Sequence, residues 1–232
     1  MEPATKPVTE PATEPATEPA TDHREATEIA LWQALREDPN DVSSFHALAE
    51  MVRGHAAESH TESSTVDLQR AMDDAVWSLA EELAHSGRAW YPLVELARLS
   101  LYDDREAAMR RLGTAVAREP TGLALATALD MLRQAGLPGE ALNLGMGAWR
   151  PREHLLVAGR HMVESAIEAA RLSEARRHLE ALEAHPEVEQ ARAVREDLAP
   201  LIEAAQAAPP PPTPSGGLAL IDLRDLRAET ER

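Results

Sequence analysis

The residues with chemistry to offer are nine histidines and forty carboxylates in a chain of 232 residues. His154 and His161 stand seven apart, with Glu164 one helical turn further on, and His178 and His185 repeat that spacing. Two turns of helix would bring each pair to one face, where a divalent cation is the ligand to consider. Such a cation takes three or four convergent donors, best spaced three or four apart, and neither pair supplies them. These histidines therefore read as polar residues of a surface or groove. His55 and His60 sit in a Ser/Glu-rich stretch and read as solvated. Asp73-Asp74, Glu81-Glu82 and Asp103-Asp104 are adjacent in sequence. Neighbours on a helix do not face each other, so these pairs suit a solvated face or a helix N-terminus, not a catalytic dyad. There is no cysteine, which excludes disulfides, thiolate nucleophiles and cysteine-bound zinc. A phosphate-binding glycine loop, a dinucleotide fingerprint, a nucleophile elbow and a His-Glu-x-x-His motif are also missing. The expectation is a protein that is not an enzyme and uses no metal or cofactor.

Charge narrows the partners. The net charge is −17, distributed as −9 over residues 1–64, −3 over 65–150 and −5 over 151–232. No block carries the Lys/Arg patch that displaces counterions from phosphates, so neither nucleic acid nor an anionic membrane is an expected partner. No apolar run reaches the ~18 residues of a membrane span, and the first residues lack the apolar centre of a signal peptide. A cytoplasmic protein follows as the expectation. One lysine, Lys6, against 22 arginines, with abundant alanine, hints at a GC-rich bacterial genome.

Both ends differ from the middle. Residues 2–21 repeat a four-residue unit five times, EPAT with one KPVT variant. Proline at every fourth position opposes a helix, and nothing large and apolar is available to bury, so residues 1–21 read as a disordered acidic tail. Residues 207–217, AAPPPPTPSGG, read as a linker that is stiff and then flexible. Residues 218–232 follow, rich in Leu218, Leu220, Ile221, Leu223 and Leu226. That density suits a tethered segment that docks, either on its own scaffold or on a partner.

Between the ends, residues 22–206 carry helical periodicity throughout, as in Leu125, Ala128, Leu129 and Leu132. Breaks at 37–41, 85–89, 102–104, 118–122, 135–140, 149–153, 170–174 and 184–187 cut it into helices of 12–22 residues. Leu31, Ala34 and Leu35 precede Asp38-Pro39-Asn40, and the next helix carries Phe45, Leu48, Ala49 and Val52. Leu93, Leu96 and Ala97 are followed by Ala108, Leu112, Ala115 and Pro120. Leu125, Ala128 and Leu132 are followed by Gly136, Ala141, Gly145 and Ala148. Gly159, Met162 and Ala166 are followed by Ala175, Leu179, Leu182 and Pro186. This alternation of small and large positions in units near ~34 residues resembles the tetratricopeptide repeat family. The resemblance implies an all-α fold of antiparallel helical hairpins stacked as a right-handed solenoid, with 187–205 as a terminal cap. Two stretches depart from the pattern: 54–64, which reads as a long polar loop, and the helix of about 65–85.

In that family ligands lie along the concave face made by the first helix of each unit. Carried over, this implies a groove of His46, Glu50 and Arg53, then Val94, Arg98 and Leu101, then Ala126, Asp130 and Arg133, then Arg160, Glu164 and Ile167. Four arginines in this set suit carboxylates of a bound peptide or helix, unless Glu50, Asp130 and Glu164 already pair with them. The implied function is an interaction scaffold, such as an adaptor, assembly factor or co-chaperone-like protein. A regulatory protein whose C-terminal segment alternates between self-docking and partner binding stands second, and a small α-helical enzyme third. The partner, the process and the oligomeric state are not encoded in any of these features.

Overall fold

The computed structural model describes residues 18–60 and 64–207. The described part is all-helical: α1 (Glu18–Glu37), α2 (Val42–Ser59), α3 (Thr65–Ala84), α4 (Tyr91–Ser100), α5 (Arg105–Arg118), α6 (Leu123–Gln134), α7 (Pro138–Ala148), α8 (Leu156–Glu168), α9 (Leu172–Ala181) and α10 (Val188–Ala207), with a short 3-10 turn at Leu182–Ala184. No helix among the described residues is long and apolar enough to cross a membrane.

Local signals place the boundaries. Asp41 caps α2 by accepting from the Ser43 and Ser44 amides, Ser64 caps α3 through the Asp67 amide, and Asp104 caps α5 through the Ala107 amide. Pro92 and Pro138 occupy the first turns of α4 and α7, where the missing N–H leaves no bond unmade. Every break expected from the sequence falls at a helix boundary or between helices, although those at 135–140 and 170–174 run three residues into α7 and α9. Two other expectations are corrected. The stretch 54–64 is not one long loop. α2 continues to Ser59, because the alanines and Glu58 favour a helix and Arg24 of α1 pairs with Glu58 at 3.1 Å. Only His60 and Ser64, of the described residues there, lie outside a helix. The tail boundary also shifts: α1 begins at Glu18, four residues inside the acidic repeats, with Pro19 in a first turn that tolerates it. The rest of that tail and residues 208–232 lie outside the described residues.

Helices consecutive in the chain pack together, α2 on α3, α4 on α5, α6 on α7 and α8 on α9. α3 therefore serves as the second helix of a hairpin with α2, although its sequence fits the repeat pattern least. α6 also contacts α4 and α8, and α10 covers α8 and α9. One core runs through all of these, with Phe45, Leu48, Leu112, Leu125, Leu129, Leu132, Leu142 and Met162 fully buried. Each such side chain contributes roughly 1.5–3 kcal/mol by leaving water. The close approach of helices is set by small residues: a Cβ at Gly145 would stand 1.9 Å from the Met162 sulfur.

The turns α1–α2, α3–α4, α5–α6, α7–α8 and α9–α10 are joined in series by polar contacts. Asn40 Oδ1 accepts from the Trp90 and Tyr91 amides at 2.7 and 3.0 Å, and its Nδ2 donates to the Arg88 carbonyl at 3.0 Å. Arg88 donates back to the last carbonyls of α1, at Arg36 and Glu37. Arg118 reaches the Ala84, Ser86 and Ala89 carbonyls at the end of α3. Glu119 caps α6 by accepting from the Leu123 and Ala124 amides at 2.6 and 3.1 Å, and its other oxygen accepts from Thr121. Burial alone would push the Glu119 carboxyl up; these donors outweigh it and hold it below the ordinary range. The Leu155 amide donates to the Thr121 carbonyl at 2.7 Å, and His185 Nε2 donates to the His154 carbonyl at 3.1 Å.

Gly122 makes the α5–α6 step possible. Its φ is +86°, and a Cβ there would lie 2.6 Å from the Cβ of His154. Gly136 also has positive φ, +73°, but open space around it. Gly122→Ala should lower unfolding stability by roughly 2–4 kcal/mol, and Gly136→Ala by about 1–2 kcal/mol, in urea titrations. Equal losses would remove the His154 contact from the explanation.

Candidate functional site

The first helices of three successive hairpins converge on one open groove of about 680 Å³. α2 presents His46, Glu50 and Arg53 at spacings of four and three, so they share a face. α4 presents Tyr91, Val94, Glu95 and Arg98, and α6 presents Thr127, Asp130, Met131 and Gln134. Phe45, Ala49 and Val94 close its floor from within the core, and Met131 is the partly exposed apolar side chain. Phe45 and Tyr91 meet edge to face with ring centres 5.4 Å apart, which fixes the Tyr91 ring against α2.

A chain of hydrogen bonds crosses the groove. Arg98 Nε and Nη2 lie 2.9 and 2.8 Å from Glu95 Oε2, a charge-assisted pair on the buried Glu95 carboxylate. The Tyr91 hydroxyl donates to Glu95 Oε1 at 3.0 Å. With its one proton so directed, the Tyr91 oxygen accepts from His46 Nε2 at 2.6 Å. Burial first, and then the Glu95 charge, push the Tyr91 phenol far above its ordinary value, so it acts as a fixed donor. Across the groove Arg53 pairs with Glu50 at 2.5 Å, and Gln134 donates to Asp130 at 2.8 Å.

Of the residues expected in the groove, His46, Glu50, Arg53, Val94, Arg98 and Asp130 line this one cavity. Leu101 and Ala126, both buried, do not line it. Leu101 starts the α4–α5 turn and folds inward. Arg133, Arg160 and Glu164 form a separate cluster between α6, α8 and α10. Arg133 Nη1 donates to Glu164 at 2.6 Å, and its Nε and Nη2 grip Glu168 at 3.0 and 2.5 Å. Arg160 pairs with the other Glu164 oxygen at 2.9 Å and reaches Asp197 at 3.5 Å. Sequence reasoning missed Tyr91, Glu95 and Gln134. The signal for the first two was the Tyr-x3-Glu-x2-Arg spacing on one helix, which aligns all three on a face.

The histidines separate as well. His154 is buried in the turn before α8, not on a helix with His161, and burial followed by Arg150 lowers its pKa. His161 lies on α8 within 2.7 Å of Arg133 Nη1 and 3.2 Å of Glu164. His178 is buried edge-on to Trp149, and burial lowers its pKa. His185 is buried under the His154 carbonyl, with Nδ1 accepting from the Glu187 amide. So three of the four are interior residues and not polar groups of a surface, because the turns fold over one another. Among the described residues no group of three or more His, Asp or Glu is placed to hold a metal ion. The leucine-rich segment of Leu218, Leu220, Ile221, Leu223 and Leu226 lies outside the described residues.

Glu164 gives this region a pH dependence. Desolvation pushes its carboxyl up, but His161, Arg160 and Arg133 override that and hold it down to about 2, from an ordinary 4.5. A depressed carboxyl stabilises the fold above its unfolded pKa, and the contribution is lost as pH falls from about 4.5 toward about 2. The stability gap between the wild type and Glu164→Gln should therefore narrow steadily in denaturant titrations between pH 6 and pH 3. A gap that stays constant over that range refutes the assignment.

Comparison with protein-family models, with curated proteins and with solved structures finds no match to this chain.

Proposed function

We propose that the chain is a protein-interaction scaffold of tetratricopeptide-like helical hairpins that holds a peptide or helix of another protein in the α2–α4–α6 groove. The observation that carries this reading is the groove itself. Helices α2, α4 and α6 leave one open groove with walls of mixed charge, a floor closed by the buried Phe45, Ala49 and Val94, and Met131 as its partly exposed apolar side chain. A concave site with apolar contacts and a few oriented polar groups is the arrangement that binds ligands. The Tyr91–Glu95–Arg98 network supports it by holding the wall rigid, so little side-chain freedom is lost when a ligand seats.

The arginines act differently from a simple anion trap. Arg53 and Arg98 already pair with Glu50 and Glu95. A ligand carboxylate gains only what their outward edges offer, so apolar contact supplies affinity and the charges set orientation. The acid and base candidates of the groove, His46, Tyr91 and Glu95, are bonded to one another and to Arg98, which supports binding as its chemistry.

The test is a photo-crosslinking amino acid at Gln134, an exposed residue on the groove wall, followed by identification of the captured segment and a direct Kd with its synthetic copy. Arg53→Ala with Asp130→Ala should weaken that Kd at least tenfold. Arg98→Ala is best made with Glu95→Gln, since removing Arg98 alone leaves a buried carboxylate without its cation, at about 1–3 kcal/mol. A Kd that both double variants leave unchanged sinks the groove reading.

A further inference from the structure

A second concavity lies on a different face of α4, between the N-terminal half of α3 and the α4–α5 turn. Its volume is about 660 Å³, and Val66, Trp77 and Leu99 supply its apolar surface. Arg111 lies over the Trp77 ring, 4.8 Å from the ring centre, and donates to Ser100 Oγ at 2.9 Å. That pair fixes the indole as a rigid wall. Two large apolar side chains at this edge of the fold stay in water: Val66, 69% exposed, and Tyr102, 75% exposed, which sits in the turn that also carries Asp103. On an acidic surface such a grouping is the kind of patch that a partner covers.

Charge selects the partner. Asp73, Asp74 and Asp103 line the cleft, and Arg70 is the one cation lining it among the described residues. None of the three carboxylates is in an ion pair among the described residues; Asp73 accepts only from Gln69, at 3.0 Å. Three carboxylates against Arg70 and the Arg111 guanidinium over Trp77 leave an excess of one negative charge beside the apolar floor. This contrasts with the α2–α4–α6 groove, where Glu50 and Glu95 are paired with arginines. Uncommitted charge beside exposed aromatic surface favours a ligand that brings both complements. A nucleic acid or an anionic bilayer brings the wrong sign.

We propose that this cleft is a second docking site, distinct from the groove, for a cationic amphipathic segment of another protein. Its large apolar side chains seat against Trp77, Leu99 and Val66, and flanking Lys or Arg side chains meet Asp73, Asp74 and Asp103. Helix-in-groove recognition works this way: apolar anchors at helical spacing give affinity, and charges at the rim set orientation. The proposal stands on the cleft alone and does not depend on the groove.

The test uses the full chain, labelled with nitrogen-15, and three synthetic helical peptides of 14 residues: Leu/Lys with leucines on one face, Leu/Glu in the same register, and Ser/Lys with the same charge. The Leu/Lys peptide should titrate saturably, moving the Trp77 indole resonance and the amides of Val66, Asp73 and Leu99. Leu/Glu and Ser/Lys should bind at least tenfold more weakly. Asp73→Asn, Asp74→Asn and Asp103→Asn together should weaken the Leu/Lys peptide at least tenfold. Glu81→Gln, Glu82→Gln and Glu180→Gln, which remove the same charge elsewhere, should leave it within twofold. Equal weakening by the two triple variants shows only general attraction to an acidic protein and overturns the proposal. So do shifts centred on His46 and Tyr91, or no saturable shift. Tighter binding, by tenfold or more, in a variant with Arg224→Glu and Arg227→Glu makes the chain's own C-terminal segment the occupant and overturns it as well.

Discussion

Helix ends leave peptide groups without partners, and the ten α-helices among the described residues create many of them. The structure meets that constraint with side chains from the neighbouring turns. Asn40 caps α4 from the turn before α2, Glu119 caps α6 from within its own turn, and Arg118 closes the end of α3 from the end of α5. A buried donor or acceptor without a partner costs about 1–3 kcal/mol, so each of these contacts fixes where one hairpin sits on the next. The apolar core is built of alanines and leucines that could pack in several registers. The polar turns select one. Gly122 is part of the same device, since His154 occupies the space a side chain would need.

That register decides what the concave side looks like. Once α2, α4 and α6 are held side by side, His46, Arg98 and Asp130 face one cavity although they are more than thirty residues apart in sequence. The same register places Arg133 opposite Glu164 and Glu168, where it becomes a strut between α6 and α8 instead of a groove residue. Two arginines expected in the groove therefore have different fates. Arg98 has its nearest carboxylate on its own helix and keeps an exposed edge; Arg133 finds two carboxylates across an interface and is largely covered.

The described surface thus offers two concavities of similar size that differ in how their carboxylates are paired. In one, Glu50 and Glu95 are paired with arginines and Asp130 accepts from Gln134. In the other, Asp73, Asp74 and Asp103 are in no ion pair among the described residues and share the cleft with the exposed Val66.

Much of the fold was legible in the chain itself. Prolines, capping aspartates and serines, and the spacing of alanine and leucine determined where helices run and stop, because those effects act within one or two turns. Local reading failed at residues 54–59, where the pairing of Arg24 with Glu58 lets a polar stretch continue as helix. It placed six groove residues on one face by repeat position, yet missed Tyr91 and Glu95, whose importance rests on burial. It read His154, His178 and His185 as surface groups, and tertiary packing put them inside. Which arginine is free, which histidine is buried and which carboxylate lacks a cation are questions of distance between helices. Only the tertiary structure decides them, because desolvation and charge pairing depend on neighbours that sequence spacing does not specify.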